Sequence, residues 1–389
     1  MKRHLYTADH EAFRESVREF VAREVVPHHE RWDEQRHVDR ETWVSAGKQG
    51  LVGLSGPEEH GGGGMFRDYR YRNVLLEELA AAYAGGLASS FSLQDDILVP
   101  YFAELGTPEQ QARWLPRLCS GELIAAIAMT EPGTGSDLQG IRTTGKKVDG
   151  GWVVNGAKTF ITSGIQSDIV VVVTRTDPDG GRNAFSLLVV ERDMPGFSRG
   201  RQLKKIGLPA QDTAELVFED VFVPEDNLLG VEGGGLAQLK AMLPLERLSI
   251  AAQGIAVADA VVATTLGYTT EREAFGQPIA DFQNTRFQLA ELATEADVTR
   301  AYVDQCILAW NDGDLTDVDA AKAKWWATDM QTRVVDRALQ LHGGYGYMVE
   351  YPVARAYQDA RVQKIYGGTN EIMKHIIGGA MVRGARSDR

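Results

Sequence analysis

The sequence predicts an α+β fold that is mainly α, with one β domain set between two helical domains. Three observations lead there. In the first part of the chain, apolar residues recur at spacings of three and four, the signature of amphipathic helices. Near Ile124 that pattern gives way to short β-branched and aromatic runs separated by glycine turns. From Leu236 onward the chain returns to long helical stretches rich in Ala, Leu and Val. Strands and helices do not alternate, which excludes a doubly wound sheet. The expected domain boundaries are 1–123, 124–232 and 233–389.

In the first segment, Asp9 is expected to cap a helix whose Phe13, Val17, Phe20, Val21 and Val25 share one face, and Pro27 to end or bend it. Glu41 to Gly50 reads as a short helix, Gly61 to Gly64 as a flexible loop, and Tyr69 to Tyr83 as a further helix. Thr107-Pro108-Glu109-Gln110 is a helix start with proline in the first turn. The strands are expected at Trp152–Val154, Ile169–Val173, Phe185–Val190 and Ala214–Phe222. Pro224 and Gly233 to Gly235 mark the exit from the sheet. Helices follow through Thr264, from Asp281 to Asn311, and from Val318 to Leu341.

Composition narrows the function. The net charge of −13 opposes binding to nucleic acid, which needs a basic surface. Cys119 and Cys306 lack the spacing of a disulfide framework or metal site, so no metal and a reducing compartment are expected. The N-terminus enters directly into a polar, charged helical pattern, and no run approaches the ~20 apolar residues of a membrane span. A cytoplasmic protein with no membrane span is expected.

Several segments carry candidate chemistry. In Ala128-Met129-Thr130-Glu131-Pro132-Gly133-Thr134-Gly135-Ser136-Asp137, glycines let the backbone approach a ligand while Thr130 and Ser136 offer hydroxyls. It equally suits an interdomain turn, and it is not a dinucleotide-binding glycine fingerprint. In Asn155-Gly156-Ala157-Lys158-Thr159-Phe160-Ile161-Thr162, Phe160 suits the face of a flat ring or an ordinary strand. Arg272, near Phe275 and Gln283, suits a pyrophosphate or a solvated helix end. Gln340-Leu341-His342-Gly343-Gly344 reads as a glycine-stopped helix with a structural histidine. Leu243-Pro244-Leu245-Glu246-Arg247-Leu248 puts a carboxylate in an apolar helical stretch, and Ile365-Tyr366-Gly367-Gly368-Thr369-Asn370-Glu371-Ile372 has a glycine at its third position.

In this order and spacing, the segments resemble the acyl-CoA dehydrogenase family of flavoproteins along essentially the whole chain. The long-chain branch is the nearest likeness, on Phe20–His29, Gln139–Ile141, Ala210–Leu216, Gln340–Tyr347 and Ile365–Met373. The resemblance implies an N-terminal helical domain, a small middle β-barrel or sandwich, and a C-terminal four-helix bundle. It implies FAD, a homotetramer built as a dimer of dimers, an acyl-CoA substrate and electron-transfer flavoprotein as acceptor. Ile127, Ala128, Met129, Thr130, Gly135, Ser136, Phe160, Ile161 and Thr162 would hold the flavin, with Thr369, Asn370 and Glu371 of the same chain. Arg272, Phe275, Gln283, Gln340, Leu341, His342, Gly343 and Gly344 would reach the cofactor of a neighbouring subunit. Ser136, Pro244, Leu245, Arg247, Gly367 and Gly368 would touch the acyl-CoA.

The implied reaction is α,β-dehydrogenation of the thioester to a trans-2-enoyl-CoA, as in fatty-acid β-oxidation. Many members of the family carry the catalytic glutamate where this chain has Gly367. A minority, the long-chain and isovaleryl branches among them, carry it at the position of Glu246, which makes Glu246 the expected base. Pro244 is expected to kink that helix. The alternatives are a flavin oxidase of the acyl-CoA oxidase type and a catalytically silent flavoprotein subunit. Gln94, Asp95 and Ala237 depart from the long-chain pattern and are expected to alter the acyl pocket.

Overall fold

The computed structural model describes residues 3–387. The N-terminal helices are α1 (Ala8–Phe20), α2 (His29–Gln35), α3 (Arg40–Lys48), α4 (Tyr69–Ala81), α5 (Gly85–Ser92), α6 (Val99–Leu105) and α7 (Pro108–Cys119). Thr7, not Asp9, is the N-cap of α1: its backbone N–H donates to His10 Nδ1 at 3.2 Å, and Asp9 falls in the first turn, where its charge suits the helix dipole. A π-turn over Val21–Val25 and a 3-10 turn over Val26–His28 carry the chain past Pro27 into α2, so the proline bends the path without ending it. The Gly61–Gly64 loop is tied down, since the amides of Gly62, Gly63 and Gly64 donate to the carbonyls of Pro57, Gly53 and Gly56. Thr107 and Gln110 cap α7 reciprocally, at 3.3 and 3.0 Å.

Eight strands form the middle sheet: β1 (Ala125–Ala128), β2 (Thr144–Val148), β3 (Gly151–Thr162), β4 (Ile169–Arg175), β5 (Phe185–Glu191), β6 (Phe197–Gln202), β7 (Thr213–Pro224) and β8 (Leu228–Leu229). Their order is β6-β7-β3-β2-β4-β5-β8, with β1 parallel to β4. Both faces of β4 and β5 are covered, which explains their unbroken apolar runs. Ile169, Val171, Val173, Phe185, Leu187 and Val189 share a core with Phe102, Trp114 and Leu115 of α6 and α7. The alternate residues Val170, Val172, Leu188 and Val190 meet Trp152, Val154, Leu216 and Phe218 of β3 and β7.

The C-terminal helices are α8 (Gly235–Glu271), α9 (Gln283–Asp312), α10 (Asp317–His342), α11 (Pro352–Ala360) and α12 (Asn370–Ser387), with a hairpin of β9 (Glu273–Ala274) and β10 (Gln277–Pro278) after α8. Helix α8 packs on α9 and α10 and also on α4, so one apolar core runs through both helical regions. By length and composition α8 is long and apolar enough to cross a membrane, but over half of its most apolar window is buried inside the protein, as in the core helix of a folded domain. It runs without interruption through Pro244, so the expected kink does not break it.

Candidate active site

Glu246 lies on α8, and only 5% of it is exposed. The buried Tyr101 of α6 donates its hydroxyl to Glu246 Oε1 at 3.1 Å. Burial pushes the carboxyl up to about 7; the Tyr101 hydrogen bond and the Arg247 charge oppose the shift without cancelling it. The adjacent Arg247 points elsewhere, its Nη1 donating to Asp317 Oδ1 at 3.2 Å. A surface ion pair, the ordinary role for a helical Glu-Arg neighbour, is therefore not what this glutamate makes. No local sequence pattern marks Tyr101; only the tertiary fold brings it within reach of Glu246, 145 positions away.

The Gly367–Gly368 turn approaches the same helix. A Cβ at Gly367 would stand 2.2 Å from Cδ1 of Ile250, one turn beyond Glu246. Gly367 and Gly368 have φ of 62° and 88°, in the left-handed region that favours glycine. Gly367 therefore lies against α8 one turn beyond Glu246.

The first group of flavin candidates sits at the ends of β1 and β3. Thr159 N donates to the Thr130 carbonyl at 2.9 Å, binding the Met129–Ser136 loop to β3. Gly133 and Gly135 face open space, and Ser136 is exposed. A register shift between Lys158 and Ile161 turns Phe160 out of the sheet: it is 67% exposed at φ 59°, between buried Thr159 and Ile161. A bulky side chain in that region costs on the order of 1–3 kcal/mol, and such strain concentrates at functional sites. Ala128 and Ile161 differ from expectation in that both side chains lie in the core of the sheet, which leaves only their backbone for a ligand.

A second group gathers around α10. Arg272, Gln340, Leu341, His342, Gly343 and Gly344 line one cavity of about 550 Å³. None of the candidates on β1 or β3 lines it, so one chain holds them as separate surfaces. His342 stacks on Tyr268 at 4.3 Å, and its Nδ1 lies 2.9 Å from the Ala338 carbonyl. Phe275 is 97% exposed at the tip of the β9–β10 hairpin, and Gln283 opens α9 with an exposed side chain that does not line the cavity.

The third group is divided. Thr369 accepts from Ile372 N at 3.3 Å and starts α12, and Glu371 is exposed. The Asn370 side chain is consumed by the core: Nδ2 donates to Thr328 Oγ1 at 3.0 Å and Asp329 Oδ1 at 3.2 Å, while Oδ1 accepts from Lys324 at 3.0 Å. Its expected cofactor contact is not available from that side chain.

The acyl-pocket candidates are corrected too. Gln94 Nε2 donates to the carbonyls of Leu118 and Leu123, and its Oε1 accepts from Ala125 N at 3.1 Å. Asp95 accepts from Gly53 N at 2.8 Å and pairs with Arg72 at 3.2 Å. Both residues join helices to the sheet and to neighbouring loops and do not shape a cavity. Ala237 is exposed on the first turn of α8.

Three family models match the chain in order: the acyl-CoA dehydrogenase N-terminal domain at 7–122, the middle domain at 126–221 and the C-terminal domain at 233–382. The mitochondrial long-chain specific acyl-CoA dehydrogenase of Sus scrofa is 48% identical over 377 residues, covering 96% of this chain and 87% of the relative. The chain belongs to the acyl-CoA dehydrogenase family. The crystal structure of the acyl-CoA dehydrogenase from Geobacillus kaustophilus superposes with a TM-score of 0.94 at 44% identity, covering 98% of this chain and 100% of that one. That of the Bacillus anthracis acyl-CoA dehydrogenase complexed with FAD has a TM-score of 0.90 at 29% identity, covering 98% and 69%. This acyl-CoA dehydrogenase is thus an FAD-dependent oxidoreductase. Its own residues fit such a group: a strained, outward aromatic ring, a loop with open glycines, and a cavity with an arginine at its rim.

Proposed function

We propose that Glu246 is the base that removes the α-proton of the acyl-CoA as the enzyme oxidises the thioester to the trans-2-enoyl-CoA. One observation carries the assignment: Glu246 is a buried carboxylate, moved by desolvation to about 7, one helical turn before Ile250, against which Gly367 stands in place of a carboxylate. A base titrating near neutral pH accepts the proton from a weak carbon acid far better than an exposed glutamate. Tyr101 holds the carboxylate in one orientation, and Asp317 keeps Arg247 from neutralising it. Backbone donors of the Gly367–Gly368 turn polarise the thioester carbonyl, so that negative charge developing on its oxygen meets preorganised dipoles. FAD, when bound, supplies the acceptor for the hydride that leaves the β-carbon.

The residues assigned to that cofactor are Met129, Thr130, Ser136, Phe160 and Thr162, with backbone from Ile127, Ala128, Gly135 and Ile161 and the start of α12 at Thr369 and Glu371. Arg272, Phe275, Gln283 and Gln340 to Gly344 serve the cofactor of a neighbouring subunit in a homotetramer. The outward Phe275 and the separation of the two groups within one chain support that arrangement. Ser136, Pro244, Leu245, Arg247, Gly367 and Gly368 border the acyl-CoA. Electron-transfer flavoprotein is the proposed acceptor, and the cytoplasm the proposed compartment.

Glu246→Gln is expected to retain FAD and acyl-CoA binding and to lower kcat by about 10²- to 10⁴-fold, the contribution of a positioned base. Steady-state turnover with an artificial dye acceptor checks this, and near-normal turnover overturns the assignment.

A further inference from the structure

Lys324 takes no part in the proton transfer assigned to Glu246, yet it is fully buried on α10. Its ammonium donates to the Gly368 carbonyl at 2.8 Å and to Asn370 Oδ1 at 3.0 Å. No ion pair among the described residues involves it: Asp329 on its own helix is paired with Lys364 at 2.7 Å. The charges facing it are Glu371 on α12, Asp329 on α10, Arg247 on α8 and Lys364 from the turn before Ile365. Lys324 therefore backs the glycine turn within electrostatic reach of Arg247 on α8, held only by two uncharged acceptors.

A buried ammonium without a paired carboxylate is costly, and a neutral side chain would satisfy the same acceptors at less expense. The turn it holds has two successive left-handed glycines, which by themselves leave the backbone free to adopt other conformations. Fixing the Gly368 carbonyl toward Lys324 also fixes the Thr369 N–H on the opposite side of that planar peptide.

We propose that Lys324 is a positioning residue for the dehydrogenation, anchoring the Gly367–Gly368 turn from behind and keeping a buried positive charge on the side where the thioester oxygen gains negative charge. The proposal rests on the reading that this turn and Glu246 flank the substrate. Desolvation lowers Lys324 to about 7, with Arg247 and Lys364 acting the same way and Glu371 and Asp329 opposing. Activity then rises with pH as Glu246 loses its proton and falls as Lys324 loses its own, giving a bell-shaped profile.

The test compares holoenzyme carrying Lys324→Gln, Lys324→Met or Lys324→Arg with the unmodified enzyme, measuring acyl-CoA oxidation across the pH range and thermal stability alongside. Lys324→Gln keeps an N–H donor, on a side chain one bond shorter, and removes the charge. It is expected to lower kcat by about 10- to 100-fold, the range of a charge-assisted hydrogen bond, with KM changed by less than about threefold. The alkaline limb disappears, the acid limb set by Glu246 stays, and Lys324→Arg recovers part of the rate. A Lys324→Gln enzyme with unchanged kcat and an intact alkaline limb overturns the proposal, as does a fall in melting temperature without a change in the pH profile. Where Lys324→Met fails to fold, the glutamine variant alone decides. The base assignment is tested apart: turnover retained in Glu246→Gln but lost with the alkaline limb in Lys324→Gln removes Glu246 as base and leaves the anchor standing.

Discussion

Tyr101 reaches Glu246 from another helix, and its hydrogen bond stabilises the charged carboxylate against burial. Tyr101→Phe removes that donor, so the Glu246 carboxyl moves further above about 7 and the acid limb of kcat/KM shifts to higher pH. An unmoved acid limb in that variant argues against Glu246 as the titrating base. Gly367 presents the complementary case. A carboxylate built there meets Cδ1 of Ile250 at the distance of a clash, in a left-handed backbone. Moving the base as Glu246→Gly with Gly367→Glu is therefore expected to give little activity. Adding Ile250→Val deletes the obstructing methyl and is expected to raise that activity several-fold, about the effect of relieving 1 kcal/mol of overpacking. Turnover of the double and triple variants compared side by side decides the point.

At the scale of elements, the end of β3 shows what strain is held for function. The register shift at Lys158–Ile161 forces Phe160 to φ 59° with its ring outward. Phe160→Gly fits that backbone without a Cβ and is expected to stabilise the FAD-free protein by about 1 kcal/mol while weakening FAD retention. Calorimetry of the apoprotein and flavin release on dilution measure the two effects. A variant that loses both stability and flavin would show that Phe160 is simply part of the fold. Asn155-Gly156 is a pair favoured in hairpin turns, yet both residues lie within β3, where the register with β7 shifts between Val154 and Gly156. A local turn propensity lost to sheet pairing that only the partner strand supplies.

For the whole molecule, burial of Glu246 sets activity against stability. Its folded value of about 7 lies above the ordinary 4.5, so the stability linked to this group is full below about 4.5 and is lost as pH rises through about 7. Glu246→Gln is expected to be as stable as the unmodified enzyme in mild acid and more stable above neutral pH, by up to about 3 kcal/mol. Denaturant titrations at both ends of that window test it, and an equal difference at every pH removes the linkage. The separated cofactor surfaces make a further prediction. Arg272→Gln is expected to lower FAD retention without changing the monomer fold, and Phe275→Asp to shift the assembly toward smaller species on sizing chromatography.

The sequence by itself determined the helix–sheet–helix order, because the period of its apolar residues changes near Ile124 and again near Leu236. Its ordered motifs also carried the family and the pair Glu246 and Gly367. Helix ends were less legible: Thr7 caps α1 in place of Asp9, a choice between neighbouring polar residues made by the His10 side chain. Only the tertiary structure decided that Gln94, Asp95 and Asn370 belong to the scaffold, since a polar side chain looks alike in sequence whether it meets a ligand or a buried carbonyl. It alone brought Tyr101 to Glu246 and Lys324 to Gly368, across 145 and 44 positions of sequence. Local pattern fixes which face of a helix is apolar, whereas desolvation and hydrogen bonding depend on what packs against that face.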